Sequence, residues 1–480
     1  MSKVGVFVHT YKSPHFETAL EIAERHCEFG HEVFLYFVAD DLPYVEPYHL
    51  RSSSPLVRAL AQCPAVTRAR KILSKKIKTR VGFDLSRRRR AEYFSEGKLR
   101  KFDKLSELQS YRWNGQDTGM AVASSLISAH RNSQLDVKQV SDEVSRAITS
   151  FIVSFEGSHD FIKKDRLDCV FVFNGRLVNE RATRRACGIA GVSCFTHEYG
   201  CDKTKYSVFD TVPHNRMEVQ AVMIKKWAMA CRQNKCEAEG IASNFFLSRQ
   251  CGSYKESSAF THTHGDEGKP SESLGYQRIV TYFSSSDDEF VSIGDEFCQE
   301  GYRTQQLAVR ALLSAIGKYS NTFLIIRIHP HLLHKHPDEE RFWNSLELTK
   351  NAIIVPAGSK ANSYKLIDES DLVFTYGSTT GIEAAFCGKP SYLLGSSFYD
   401  QLGCCTKAFD AEAIDNALQS PIAPEECKAL SLPYGYYYST FGFEFKNFVA
   451  SGIHAGRFKG VDLFGKTILR SALRRLGLGK

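Results

Sequence analysis

Arg327 and His329, in the string Arg327-Ile328-His329-Pro330-His331, follow the apolar run Phe323 to Ile326. Ser378 and Thr379, with Glu383 one turn further on, follow the apolar run Leu372 to Phe374. Guanidinium and imidazole groups supply charge and N–H donors, and hydroxyls supply more. A helix start adds free backbone N–H groups and the positive end of the macrodipole, so the set suits a phosphate. Ser285 and Ser286, after the run Arg278 to Phe283, offer the same kind of donor. In the N-terminal half the residue types suit proton transfer instead. Glu198, His15 and Glu17 are candidate acids or bases, and Asn174 and Arg176 are candidates for holding a polar or acidic group beside them. Each also has a plainer role. His329 could bond a nearby backbone, Ser378 could be a cap, and Glu383 could be the capping-box partner of Thr380. Glu17 could offset a helix dipole, and Arg176 with Glu198 could be a buried ion pair between loops.

These residues need strands that end beside one another. Short, almost continuous apolar runs are what strands buried on both faces of a parallel sheet look like. The chain opens with a strand at Val4 to Thr10, a helix from about Phe16 to Phe29 ended by Gly30, and a strand at Glu32 to Val38. That is a β-α-β start. From about 42 to 165 helical patterns dominate, notably Met120 to His130 and Val137 to Phe155, which predicts a mainly helical insertion. The α/β pattern resumes with strand Leu167 to Phe173, helix Asn179 to Ala190 and strand Ser193 to Thr196. Residues 223–250 read as helix, and 251–275, rich in Ser, Thr, Gly and His, as a linker. A second α/β series covers 276–425, and 426–480 reads as a helical tail. In open α/β sheets ligands bind beyond the carboxyl ends of the strands, where all the candidates above fall.

The 480 residues predict two or three domains, and 43% hydrophobic with 24% charged residues is ordinary for a chain that buries large cores. No apolar run reaches the roughly 18 residues needed to span a bilayer, and the N-terminus has no signal-peptide pattern. The 14 cysteines are scattered without metal spacing, which predicts reduced thiols in a cytoplasmic protein. His262 and His264 lack partners at metal spacing, and Asp40-Asp41 and Asp287-Asp288 are weak matches to a metal clamp, so no metal site and no cofactor are predicted. Of the net charge of +8, much lies between Arg68 and Arg90, where eleven Lys or Arg meet one acid, Asp84. The tail adds Lys466, Arg470 and Arg474 on one helical face. The run is either solvated or in contact with an anionic polymer or an anionic membrane leaflet, such as the inner face of a plasma membrane, and the tail is a helix that either lies on such a surface or packs on the protein. Nucleic acid is not expected, since no basic–aromatic platform accompanies the charge.

Taken together, Ser13-Pro14-His15 with Glu17, Asn174-Gly175-Arg176, Ser285-Ser286-x-Asp288-Glu289-Phe290, Gln305, Arg327-x-His329-Pro330, Gly377-Ser378-Thr379-x-Gly381-x-Glu383-Ala384 and Gly388-Lys389-Pro390 resemble bacterial capsular polysaccharide biosynthesis proteins. That family is similar to GT-B glycosyltransferases. The His-Pro element with a later hydroxyl pair also resembles polysialyltransferases, Kdo transferases and CDP-glycerol glycerophosphotransferases. The resemblance covers roughly 3–240 and 276–400 and departs at 42–165. It implies two Rossmann-like doubly wound domains facing a central cleft, 1–250 on the acceptor side and 276–425 on the donor side. It further implies that His329, Ser378 and Thr379 hold donor phosphate and that Glu383 meets the donor ribose. The activity implied is transfer of a sugar from a CMP- or UDP-sugar to a capsular or other cell-surface polysaccharide or glycolipid. Such transfer builds negative charge on the leaving phosphate, which needs donors already in place. Two other functions share that shape: a sugar-nucleotide epimerase, and a non-catalytic partner in polysaccharide assembly or export.

Overall fold

The computed structural model describes residues 1–45, 55–83, 85, 86, 89, 92, 93, 95, 100–252, 265, 267–286, 291–334, 337–452 and 454–465, with side chains of the first helix turns after 54 described from 64. Most of the Arg87–Arg90 cluster, His262, His264, Asp287, Asp288 and the tail cations Lys466, Arg470 and Arg474 lie outside the described residues. The chain divides into two compact units. One comprises Met1–His130, Gln134–Pro213 and Phe441–Lys480, the other Arg131–Ser133 and His214–Thr440.

The first unit is built on strands β1 (Lys3–Val8), β2 (Glu32–Phe37), β3 (Lys78–Val81), β4 (Cys169–Phe173), β5 (Ser193–Tyr199) and β6 (Lys205–Phe209). Their order is β3-β2-β1-β4-β5-β6, closed at one edge by β13 (Phe443–Glu444). The first five are parallel, and β6 and β13 run antiparallel to their neighbours. Helices α1 (His15–Glu28), α2 (Pro55–Ile72), α3 (Thr118–His130), α4 (Ser141–Asp165) and α5 (Val178–Ala190) belong to this unit. Val6, Leu35 and Val170 are buried completely, as the apolar runs predict.

The second unit has strands β7 (Arg278–Phe283), β8 (Thr322–Arg327), β9 (Ala352–Val355), β10 (Leu372–Thr375), β11 (Ser391–Leu393) and β12 (Thr406–Lys407), all parallel. Their order is β9-β8-β7-β10-β11-β12. Helices α6 (Arg216–Gln250), α7 (Gln305–Ile316), α8 (Thr379–Phe386) and α9 (Cys427–Thr440) belong here. Numbered within its own unit, each sheet reads 3-2-1-4-5-6, the doubly wound order of a Rossmann fold. Two Rossmann-like units are therefore what the structure contains.

Three expectations are corrected. The division falls at Pro213 and again at Phe441, not in 251–275. The reason is α6, whose start is capped by the Asn215 side chain accepting from the Glu218 N–H at 3.1 Å. The next residue, Arg216, is wholly buried and pairs with Asp400 while donating to the Phe297 and Cys298 carbonyls. That network roots the start of α6, which kinks at Asn234, in the second unit. The expected helical tail is helix only over Cys427–Thr440: among the described residues that follow, β13 joins the first sheet and β14 (Phe448–Gly452) pairs with β15 (Ala455–Phe458), while 466–480 lie outside the described residues. Buried carboxylates on α1 pin this return, Glu21 accepting from the N–H groups of Lys446 and Asn447 and Glu24 from the Lys459 ammonium at 2.6 Å. Within the expected helical insertion, Lys78–Val81 forms β3. Its charged residues suit an edge strand, with Lys78 paired to Glu32 and Arg80 to Asp165.

Candidate functional site

The point where the strand order reverses is where an open α/β sheet leaves a crevice at its carboxyl ends. In the first unit it lies between β1 and β4. After β1 comes Thr10 to Pro14 and then α1, which begins at His15. After β4 the chain turns through Asn174 and Gly175, both left-handed at φ 51 and φ 79. A Cβ on Gly175 would stand 2.6 Å from the Thr196 side chain, so only glycine fits this turn. β5 runs on to Tyr199, beyond the expected Thr196, so His197 and Glu198 are strand residues.

Here three predicted residues meet. Asn174 donates from Nδ2 to Glu198 Oε2 at 2.8 Å, and His15 Nδ1 stands 3.5 Å from Glu198 Oε1. The His15 ring is held between Phe173, at 3.9 Å between centroids, and Tyr199, at 4.8 Å. Burial pushes the Glu198 carboxyl above its usual range, while Asn174, the Tyr199 N–H and the nearby Arg176 and Lys12 pull the other way. Burial holds His15 well below its usual value, and the positive charge of Lys12 acts in the same direction. His15 is thus neutral at pH 7. The side chain of Glu198 is 21% exposed and that of His15 8%, so Glu198 is the more accessible of the two.

The other two predicted residues of this unit make no hydrogen bond to Glu198. Arg176 does not form the expected ion pair with Glu198; its Nη1 donates to Ser124 Oγ at 2.9 Å. Glu17 is buried on α1, and burial raises its carboxyl to about 8. That shift favours the protonated form near neutral pH. Two residues escaped sequence reasoning. Glu180, in the first turn of α5, accepts from Thr10 at 3.1 Å and is raised to about 7 by burial. Its signal was its place one turn after the Asn174 turn. The other is Lys12, in the loop between β1 and α1, which carries no spacing signal of its own.

In the second unit the reversal lies between β7 and β10. Ser284, Ser285 and Ser286 follow β7, and Gly377 and Ser378 lead into α8 after β10. Ser285 is positioned by Gln305, whose Oε1 accepts from the Ser285 N–H at 2.6 Å and from the Tyr282 hydroxyl at 2.9 Å. The Ser285 hydroxyl oxygen is buried and has no hydrogen-bond partner among the described residues. Gly377 has φ 131, and a Cβ there would stand 2.5 Å from the Ser396 carbonyl. The Thr375 hydroxyl accepts from the Ser378 N–H at 2.9 Å, which sets the approach to the helix.

Ser378 is the cap of α8, its oxygen accepting from the Thr380 N–H, so Thr380 lies inside the helix and the expected Thr380–Glu383 capping box is not formed. Glu383 instead accepts from Arg249 Nε at 2.7 Å. The helix start is fastened from behind by buried tyrosines: Tyr399 donates to the Ser378 carbonyl, and Tyr434 hydrogen-bonds the Thr379 side chain. His329 is one strand away, after β8. Its N–H donates to Ser284 Oγ at 2.8 Å, and its Nδ1 accepts from the His331 N–H at 3.1 Å. The neutral ring therefore carries its proton on Nε2. β8 and β10 flank β7, so His329 and Ser378 stand two strand spacings apart, roughly 10 Å. Arg327 is buried, donating to the Pro356 and Ser359 carbonyls, and burial lowers it to about 10. It holds the loop after β9. Among the described residues no three His, Cys, Asp or Glu side chains are grouped to hold a metal, and no helix is long and apolar enough to cross a membrane.

Residues 276–425 match the model of a family described as capsule polysaccharide biosynthesis protein. No curated protein matches the chain. Among solved structures, the KpsC β-Kdo 2,4 transferase of Thermosulfurimonas dismutans is similar at 12% identity over 56% of this chain and 79% of that one, with a TM-score of 0.36. The KpsC β-Kdo 2,7 transferase of the same organism is similar at 15% identity over 59% and 80%, with a TM-score of 0.35. The spinosyn rhamnosyltransferase SpnG complexed with thymidine diphosphate is similar at 11% identity over 92% and 97%, with a TM-score of 0.27. Likeness this distant carries no argument about substrate.

Proposed function

We propose, from the match of residues 276–425 to capsule polysaccharide biosynthesis proteins, that this chain is a glycosyltransferase of cell-surface polysaccharide synthesis. Its donor is a CMP- or UDP-sugar, held by the second unit, and its acceptor is a growing polysaccharide or glycolipid, served by the first. The observation that carries the reading is the Glu198 carboxyl. It lies at a strand's carboxyl end, is raised by burial, is steadied by Asn174 and His15, and is the most open member of that set. Such a group can take the proton of an acceptor hydroxyl as the new glycosidic bond forms. Negative charge then builds on the leaving phosphate. The start of α8, the Ser285 hydroxyl and His329 Nε2 are the donors this reading assigns to it. Arg327 and Glu383 support it only by holding the loop after β9 and the back of α8. The reading takes transfer to be metal-independent, and it keeps an anionic membrane surface as a partner of the basic segments.

The test is an assay of the purified full chain against a panel of CMP- and UDP-sugars with an oligosaccharide acceptor. A sugar bonded to the acceptor supports transfer. An isomerised nucleotide sugar would make the chain an epimerase, and an unconsumed panel would leave a non-catalytic assembly partner.

A further inference from the structure

The basic run after Arg68 takes no part in the transfer chemistry proposed above, and part of it borders a hollow. The last turn of α2, the turn at 73–77 and the start of β3 border an open cavity of about 410 Å³. Its floor is apolar, formed by the buried Leu73 and Ile77. Thr67, Ser74 and Thr79 add hydroxyls, and Arg70, Lys71 and Lys75 are the cations of its lining. No acidic side chain lines it among the described residues.

Two details separate this from a solvated charge run. The Arg70 guanidinium is oriented, since its Nε donates to Thr79 Oγ1 at 3.2 Å. The turn beneath it is fixed as well: the buried Glu24 carboxylate accepts from the Ser74 N–H at 2.8 Å. Cations in the last turn of a helix also offset its dipole, but the negative end is worth only about half a charge. Three cations exceed that need by more than two charges. The cavity is also distinct from the Glu198 site. It opens at the amino end of β3, whereas Glu198, His15 and Asn174 lie at the carboxyl ends of strands parallel to it. On the α2 side, Arg68 Nη1 donates to the Leu463 carbonyl at 3.0 Å and also reaches that of Gly465. The described end of the chain is therefore tied to α2 two residues before Arg70.

We infer that this cavity is a binding site for a phosphorylated polyol. The phosphate meets Arg70, Lys71 and Lys75, the polyol hydroxyls meet Thr67 and Ser74, and the C–H face of the polyol lies on Leu73 and Ile77. Such a group occurs both in a free sugar phosphate and in the phosphoglycerol headgroup of a membrane lipid. The inference does not rest on the transferase reading, because it is measured by binding alone.

The experiment uses the full chain with two probes: soluble glucose 6-phosphate by calorimetry, and vesicles of phosphatidylglycerol in phosphatidylcholine by co-sedimentation. Binding of the first alone assigns a soluble ligand, and binding of the vesicles assigns the headgroup. In either case the triple variant Arg70→Ala, Lys71→Ala, Lys75→Ala is expected to bind at least about tenfold more weakly, with the difference shrinking as salt screens the cations. These three side chains are exposed, so the variant keeps its fold. Arg70→Lys keeps the charge and loses the planar fork, and is expected to weaken binding in part. No binding of either probe, or undiminished binding by the triple variant, overturns the site. Unaltered binding by Arg70→Lys reduces it to a charge patch and overturns it too.

Discussion

The two units share a strand order and differ in what they place at its reversal. In the first, the crevice between β1 and β4 is edged by titratable groups: Glu198 with His15, and Glu180 with Thr10. In the second, the crevice between β7 and β10 is edged by serine hydroxyls and by the start of α8, with His329 beside them. One scaffold thus presents groups whose protonation is tuned by burial, and the other presents fixed donors. Moving a proton needs a group with two accessible states, whereas holding an anion needs donors that do not move. Under the proposed transferase reading, that difference assigns rate to the first unit and donor affinity to the second.

That division can be broken by variants in either half. Glu198→Gln keeps the side chain's shape and removes the base, so kcat for transfer should fall by about 10²- to 10⁴-fold with donor KM little changed. A rise in donor KM without loss of kcat would assign Glu198 to the wrong task. Gly377→Ala forces a Cβ toward the Ser396 carbonyl at a left-handed φ, at a cost of about 1–3 kcal/mol. Because the strain sits at the entry to α8, donor KM should rise about ten- to a hundredfold, read from initial rates at saturating acceptor. His329→Ala removes one donor and should weaken donor binding by roughly tenfold, on the order of 1.4 kcal/mol. Unchanged kinetics in that variant would take His329 out of the site.

The smallest effect is the most specific. The Asn174 hydrogen bond lowers the Glu198 pKa against the upward push of burial. A base works only when deprotonated, so the rate falls as pH drops through its pKa. Asn174→Ala leaves burial unopposed at that oxygen and should move the acidic limb of the kcat profile to higher pH. A downward move, or none, would mean that Asn174 does not act on Glu198.

The strands were legible because they are buried on both faces and leave unbroken apolar runs, as at Phe323 to Ile326. His15, Asn174 and Glu198 were legible as candidates because each follows or ends such a run. Arg327 misled for the same reason: a strand-end position says nothing of where a long side chain turns, and it turned to the Pro356 and Ser359 carbonyls. β3 was hidden in a basic run because an edge strand carries no apolar signature. The domain limits were hidden too, since 251–275 has a linker's composition while the division at Pro213 depends on Arg216 finding Asp400 far along the chain.

The sequence by itself determined that two α/β series exist, where their strands end, and which residue types stand at those ends. These are local properties of burial period and turn chemistry. Only the tertiary structure decided which ends become neighbours, that Glu198 rather than His15 faces outward, and that Glu17 and Glu383 are committed inside. Strand order and burial are set by contacts between residues distant in the chain, and no local spacing encodes them.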